Sequence, residues 1–132
     1  MTRKPEWQGL LDAFIQEHRL DPYQYGKWDC CLFVCSAIHA MTGVDPGERF
    51  RGAYSSREEA RRLGYVVPRI VEQVCAEHGM RQVPALLARR GDVALVKRSL
   101  GVVALNGSDV ILISQTGLSY ISLSLARRAW HV

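Results

Sequence analysis

The chain reads as an α+β domain. Helical periodicity fills residues 5–79, short β-rich runs broken by turn residues fill residues 90–132, and the two textures do not alternate. At 132 residues it is long enough to bury a core without disulfide support. The helical half and the sheet half must therefore pack on each other as one unit, each hiding the apolar face of the other.

The elements follow in order. Trp7, Leu10, Leu11, Phe14 and Ile15 recur at helical spacing, which predicts a helix from Pro5 or Glu6 to Arg19, with Pro5 in its opening turn and Asp21-Pro22 as its stop. The stretch from Tyr23 to Trp28 is aromatic and irregular. Asp29 then reads as the N-cap of a second helix, Cys30 to about Met41, closed by Gly43 and apolar around most of its circumference, so central to the core. A loop spans Val44 to Tyr54. Ser56 and Glu59 have capping-box spacing and open a short helix ending near Gly64. Pro68 opens another, which runs to His78 and stops at Gly79. Strands are expected at Asp92–Val96, Leu100–Leu105, Val110–Ser114 and Leu118–Leu123, with Asn106-Gly107 as a tight turn. Leu125–Arg128 reads as a last turn before the tail Ala129–Val132.

Composition excludes several classes. Hydrophobic residues make up 48% and charged residues 23%, values of a folded globular chain and not of a disordered or coiled-coil one. No apolar run is long enough to cross a bilayer, so no membrane segment is expected. Met1 to Trp7 lacks the apolar stretch and small-residue cleavage site of a secretory signal, so synthesis in a cytoplasm is the expectation. The net charge of +4 is mild, and the arginines at 57–69, 89–90 and 127–128 lack interleaved aromatics. They read as solvated helix faces and loop ends, with no nucleic-acid specificity.

Cysteine placement is more informative. Cys30, Cys31 and Cys35 fall close together, Cys75 stands alone, and no Cys-x-x-Cys pair exists. Cys30 lies on the first turn of the second helix, where free N–H groups and the positive helix end favour a thiolate; this is the position of a nucleophile. The competing reading is that these cysteines simply pack in the core. Cys31, Cys35 and His39 form a stripe at intervals of four, but ligands so spaced spread over roughly 12 Å, too far to meet at one ion. No metal and no cofactor are expected.

Asp29-Cys30 followed by Phe33-Val34 is similar to the Asp-Cys-Ser-Gly-Phe/Leu-Val start of the nucleophile helix in NlpC-type, papain-like cysteine peptidases of the cell wall. Arg90-Gly91-Asp92-Val93 resembles that family's first strand, and Ser99-Leu100-Gly101-Val102 sits where its His-Val-Gly-Ile begins the second. A closer likeness, over nearly the whole chain, is to short tail proteins of bacteriophages and phage-derived particles. It rests on Tyr25 to Phe33, Thr42 to Pro46, Arg51 to Tyr54 and Arg127 to Trp130.

These resemblances imply a minimal papain-like (NlpC-type) domain with N-terminal helices packed on an antiparallel sheet. They imply Cys30 as the nucleophile, vestigial or active, Asp29 as helix N-cap, and Ser99 at the position of the family's histidine. A serine hydroxyl is no base near neutral pH, and a thiolate peptidase needs an imidazole to move its proton. No histidine lies between Gly79 and Trp130. His39 is about 13 Å along the helix from Cys30, His18 and His78 lie near helix ends, and His131 lies beyond the expected strands. Leu32 replaces the family's glycine beside the nucleophile. The expectation is a structural component of a phage-type tail tip or baseplate on a catalytically degenerate scaffold, with hub, distal tail or tip proteins as partners. Its place would be the virion tail after synthesis in the bacterial cytoplasm. The alternative is an active cysteine endopeptidase or amidase that acts on peptidoglycan during DNA entry.

Overall fold

The computed structural model describes residues 1–132. Four helices, α1 (Trp7–His18), α2 (Cys30–Thr42), α3 (Arg57–Arg62) and α4 (Val67–Glu77), precede an antiparallel sheet. Its six strands are β1 (Gln82–Val83), β2 (Val93–Val96), β3 (Ser99–Val103), β4 (Asp109–Ser114), β5 (Gly117–Ser122) and β6 (Arg128–Trp130), in the order β1-β6-β2-β3-β4-β5. The architecture is the α+β one expected.

Local chemistry explains the helix ends. Asp29 caps α2 by accepting the Leu32 N–H, and Gly43 closes it in the left-handed region at φ 82°. At α3, the Ser56 hydroxyl accepts the Glu59 N–H, while the Glu59 carboxylate reaches back to the N–H of Ser55. Pro68 occupies the first turn of α4, where its missing N–H costs nothing. The expected loop at Val44–Tyr54 contains one 3-10 turn, Glu48–Phe50.

The tail differs from expectation. Arg128–Trp130 is a strand, inserted between β1 and β2 with Trp130 opposite Val93 and Gln82. Cross-strand pairing, not the local pattern, makes strands this short. The last turn, expected at Leu125–Arg128, lies earlier, as a 3-10 turn at Leu123–Leu125, because Arg128 is drawn into the sheet. Arg128 is not a solvated loop end: its guanidinium pairs with Glu72 and Gln82 and lies over the Trp130 ring.

Strand alternation divides the sheet into two faces. Val93, Leu95, Leu100, Val102, Ile111 and Trp130 face α1 and α2 and meet Leu11, Phe14, Phe33 and Ile38 in the main core. Ala94, Val96, Val103, Val110 and Ala129 face the other way, beneath Ala88 and Leu123. α2 runs through the middle of the main core, which puts its N-terminus against β3.

Candidate functional site

The irregular segment before α2 is held by one buried carboxylate. Asp29 accepts the N–H groups of Leu32 and Gly26, both at 3.0 Å, and the hydroxyl of Tyr54. Gly26 sits at φ 77°, and a Cβ there would lie 1.7 Å from the Tyr54 carbonyl oxygen. Only glycine lets the two loops touch at that point. Asp29 thus orients the Tyr23–Trp28 segment, the α2 N-terminus and Tyr54 together.

Cys30 opens α2 at the edge of an apolar cavity of about 90 Å³. Its walls are α2, α4 and the sheet, with Tyr23, Val67, Val71, Met80 and Leu100 among them. All four cysteines line it, and all are free thiols. The cavity is small and its lining is almost wholly apolar.

The Cys30 thiol is held below its ordinary pKa. The largest cause is the Cys31 S–H, which donates to it; burial opposes this, and the Leu100 and Cys31 N–H groups reinforce it. The Asp29 charge also opposes ionisation, so Asp29 acts as a cap and not as an activating partner. Cys31 is raised, chiefly because its proton is the one given to Cys30. Burial first of all pushes both Cys35 and Cys75 up to about 12. Tyr23 is raised by burial and then by the facing Cys30 charge, which keeps its phenol protonated beside the thiol.

A pH dependence follows. A lowered pKa means the Cys30 thiolate is already present below the ordinary thiol range and is lost only as pH falls further. Iodoacetamide is therefore expected to modify Cys30 alone near neutral pH, with a rate midpoint below the 9.0 of a free thiol. Mass spectrometry of native protein and Cys30→Ser checks this: alkylation in the variant should fall at least about tenfold.

No imidazole serves this sulfur. His18 Nδ1 bonds Asp21 at 2.7 Å, and its ring lies against Trp28 and Phe14. His78 Nδ1 bonds the Val74 carbonyl, and His39 is exposed near the far end of α2. The tail does fold back, but β6 delivers His131 to Asp92, at 2.9 Å, and not to Cys30.

Ser99, the residue expected in place of a peptidase histidine, is turned away from Cys30 by the register. Ser99 is exposed and pairs with Val96, whose side chain lies on the outer face, whereas Leu100 is buried on the face that meets Cys30. The strand residue facing the thiol is thus an aliphatic one. Leu32 is also buried, packing with Phe50, Tyr54, Ala60 and Val74.

The sequence reading missed Tyr23, Tyr54 and Leu100, which shape the surroundings of Cys30. It also missed a second buried carboxylate. Asp92 accepts from Arg3 at 2.8 Å, from the N–H groups of Arg89 and Val132, and bonds His131, so it joins both chain ends to the sheet. The Gly-Asp dipeptide that opens β2 was the only signal for it. Gly91, at φ 83°, lies where a Cβ would crowd Arg3, Trp7 and Met41.

Comparison with curated proteins and with solved structures gives no match. Residues 2–132 match the model of the family described as Domain of unknown function (DUF6950), and the chain belongs to that family.

Proposed function

We propose that the protein is a structural component of a bacteriophage-type tail tip or baseplate, built on an NlpC-like, papain-like fold whose peptidase chemistry has been lost. One observation carries the second half of this reading: Cys30 faces Leu100, and every imidazole of the chain is placed elsewhere. A thiolate without a proton carrier cannot deliver a proton to a leaving amine. The tail assignment rests on the motif likeness at Tyr25–Phe33, Thr42–Pro46, Arg51–Tyr54 and Arg127–Trp130. A domain whose two ends are tied to one buried carboxylate suits an assembly part that keeps its shape under load. Hub, distal tail or tip proteins would be its neighbours in the virion. Quantitative mass spectrometry of purified particles tests this: the chain should be present at a fixed stoichiometry, and its absence from the particles would overturn the assignment.

The lowered pKa of Cys30, with the Tyr23 phenol beside it, favours one second reading, an active cysteine endopeptidase or amidase on peptidoglycan. That reading requires an imidazole from a neighbouring subunit.

A further inference from the structure

The outer face of the sheet is covered by only two 3-10 turns, Ala85–Leu87 and Leu123–Leu125, which touch each other. They bury Leu123 but leave Leu86, Leu87 and Leu125 exposed by 70%, 68% and 53%. The backbone beneath these leucines is largely satisfied internally: the Leu87, Ala88 and Ala126 N–H groups bond the carbonyls of Pro84, Ala85 and Leu123. Such turns can enter an apolar interface without leaving those amides orphaned.

The rim of this patch carries one sign of charge. Arg89 lies two residues after Leu87, and Arg127 two after Leu125. The Arg127 N–H bonds the Leu95 carbonyl, which sets Arg127 beside the Lys97-Arg98 turn between β2 and β3. All four cations are exposed and none forms an ion pair, whereas Arg3, Arg49, Arg51 and Arg128 each hold a carboxylate. Residues 80–132 contain seven Arg and Lys against two acids. Of those acids, Asp92 is buried against Arg3 and Asp109 bonds Asn106. Residues 1–79 are nearly balanced, so the net positive charge of the chain belongs to the sheet half.

We propose that this leucine-tipped basic face docks on the surface of an anionic phospholipid bilayer. Protein interface cores draw on aromatic anchors and under-use leucine, and a protein partner would have to present a matching acidic patch; here the exposed tips are all leucine and the rim is all cationic. A second copy of the same face would bring like charges together. An anionic bilayer asks only for aliphatic groups that reach the acyl boundary and cations at headgroup level, and the two together hold where either alone is marginal. The face lies on the opposite side of the sheet from Cys30 and does not depend on the tail assignment.

The test is flotation of the full chain with vesicles of phosphatidylglycerol mixed with phosphatidylcholine, and with vesicles of phosphatidylcholine alone. Binding to the anionic vesicles should be at least about tenfold tighter and should be lost near 0.5 M salt, roughly where screening is complete. Leu86→Ser with Leu87→Ser, and separately Arg98→Glu with Arg127→Glu, should each weaken it about tenfold. Arg57→Glu with Arg61→Glu on α3 should leave it unchanged, and circular dichroism confirms that each variant folds. Equal binding to both vesicle types, or binding indifferent to both face variants, overturns the proposal. So does failure to bind either vesicle, which would leave an acidic protein surface as the occupant.

Discussion

Replacing Asp29 with alanine is expected to lower the free energy of unfolding by about 3–4 kcal/mol, a large share of the stability of a domain this size. The loss has three sources. The helix loses its N-cap, worth about 1 kcal/mol by itself. The N–H of Gly26 and the hydroxyl of Tyr54 lose a charged acceptor in a site where Asp29 is only 3% exposed. Each group left unpaired in the interior costs about 1–3 kcal/mol. Asparagine retains the shape and an acceptor oxygen, so Asp29→Asn should lose less, about 1–2 kcal/mol. Tyr54→Phe removes one member of the network, and the double variant Asp29→Ala with Tyr54→Phe should cost less than the two single losses combined. Urea unfolding followed by tryptophan fluorescence and circular dichroism measures all four. A loss below 1 kcal/mol for Asp29→Ala would show that the α2 entrance is held by packing alone.

The second large effect is expected at Asp92. Its carboxylate is 1% exposed and joins Arg3, His131, and the N–H groups of Arg89 and Val132. Asp92→Ala leaves a half-buried guanidinium with the carbonyls of Arg90 and Val132 and the Trp7 ring as its neighbours, and no counter-charge. Removing one partner of a buried ion pair costs about 3–5 kcal/mol, because the remaining charge has lost both water and counter-charge. Hydrogen exchange should rise first in β6 and in the N-terminal segment, since both are tied to this one group. His131 is half exposed, so His131→Ala should cost no more than about 1 kcal/mol. Equal losses for Asp92→Ala and His131→Ala would contradict the assignment of Arg3 as the main partner.

What could be read from the sequence was local. Asp29, Gly43, Ser56 and Pro68 mark helix ends through bonds made within a few residues, and each mark held. The Asn106-Gly107 turn was visible for the same reason, with Asn106 accepting from the N–H groups of Ser108 and Asp109. β1 and β6 were not legible: at two and three residues they carry no periodicity and exist because Trp130 pairs with Val93 and Gln82. Position along β3 could be guessed from spacing, but a one-residue shift exchanges the two faces, and only the pairing of Ser99 with Val96 decides which side chain meets Cys30. The chain-end clamp on Asp92 joins residues almost the full chain apart, a distance over which no sequence pattern speaks.

The measurement that bears most directly on the proposed loss of peptidase chemistry is incubation of the purified full chain with peptidoglycan, with mass spectrometry of the stem-peptide fragments released. Cys30→Ala serves as control. A thiol facing Leu100 with no imidazole in reach predicts no release above background by either protein, while Cys30 remains open to alkylation. Fragments released by the native chain and absent with Cys30→Ala would contradict it.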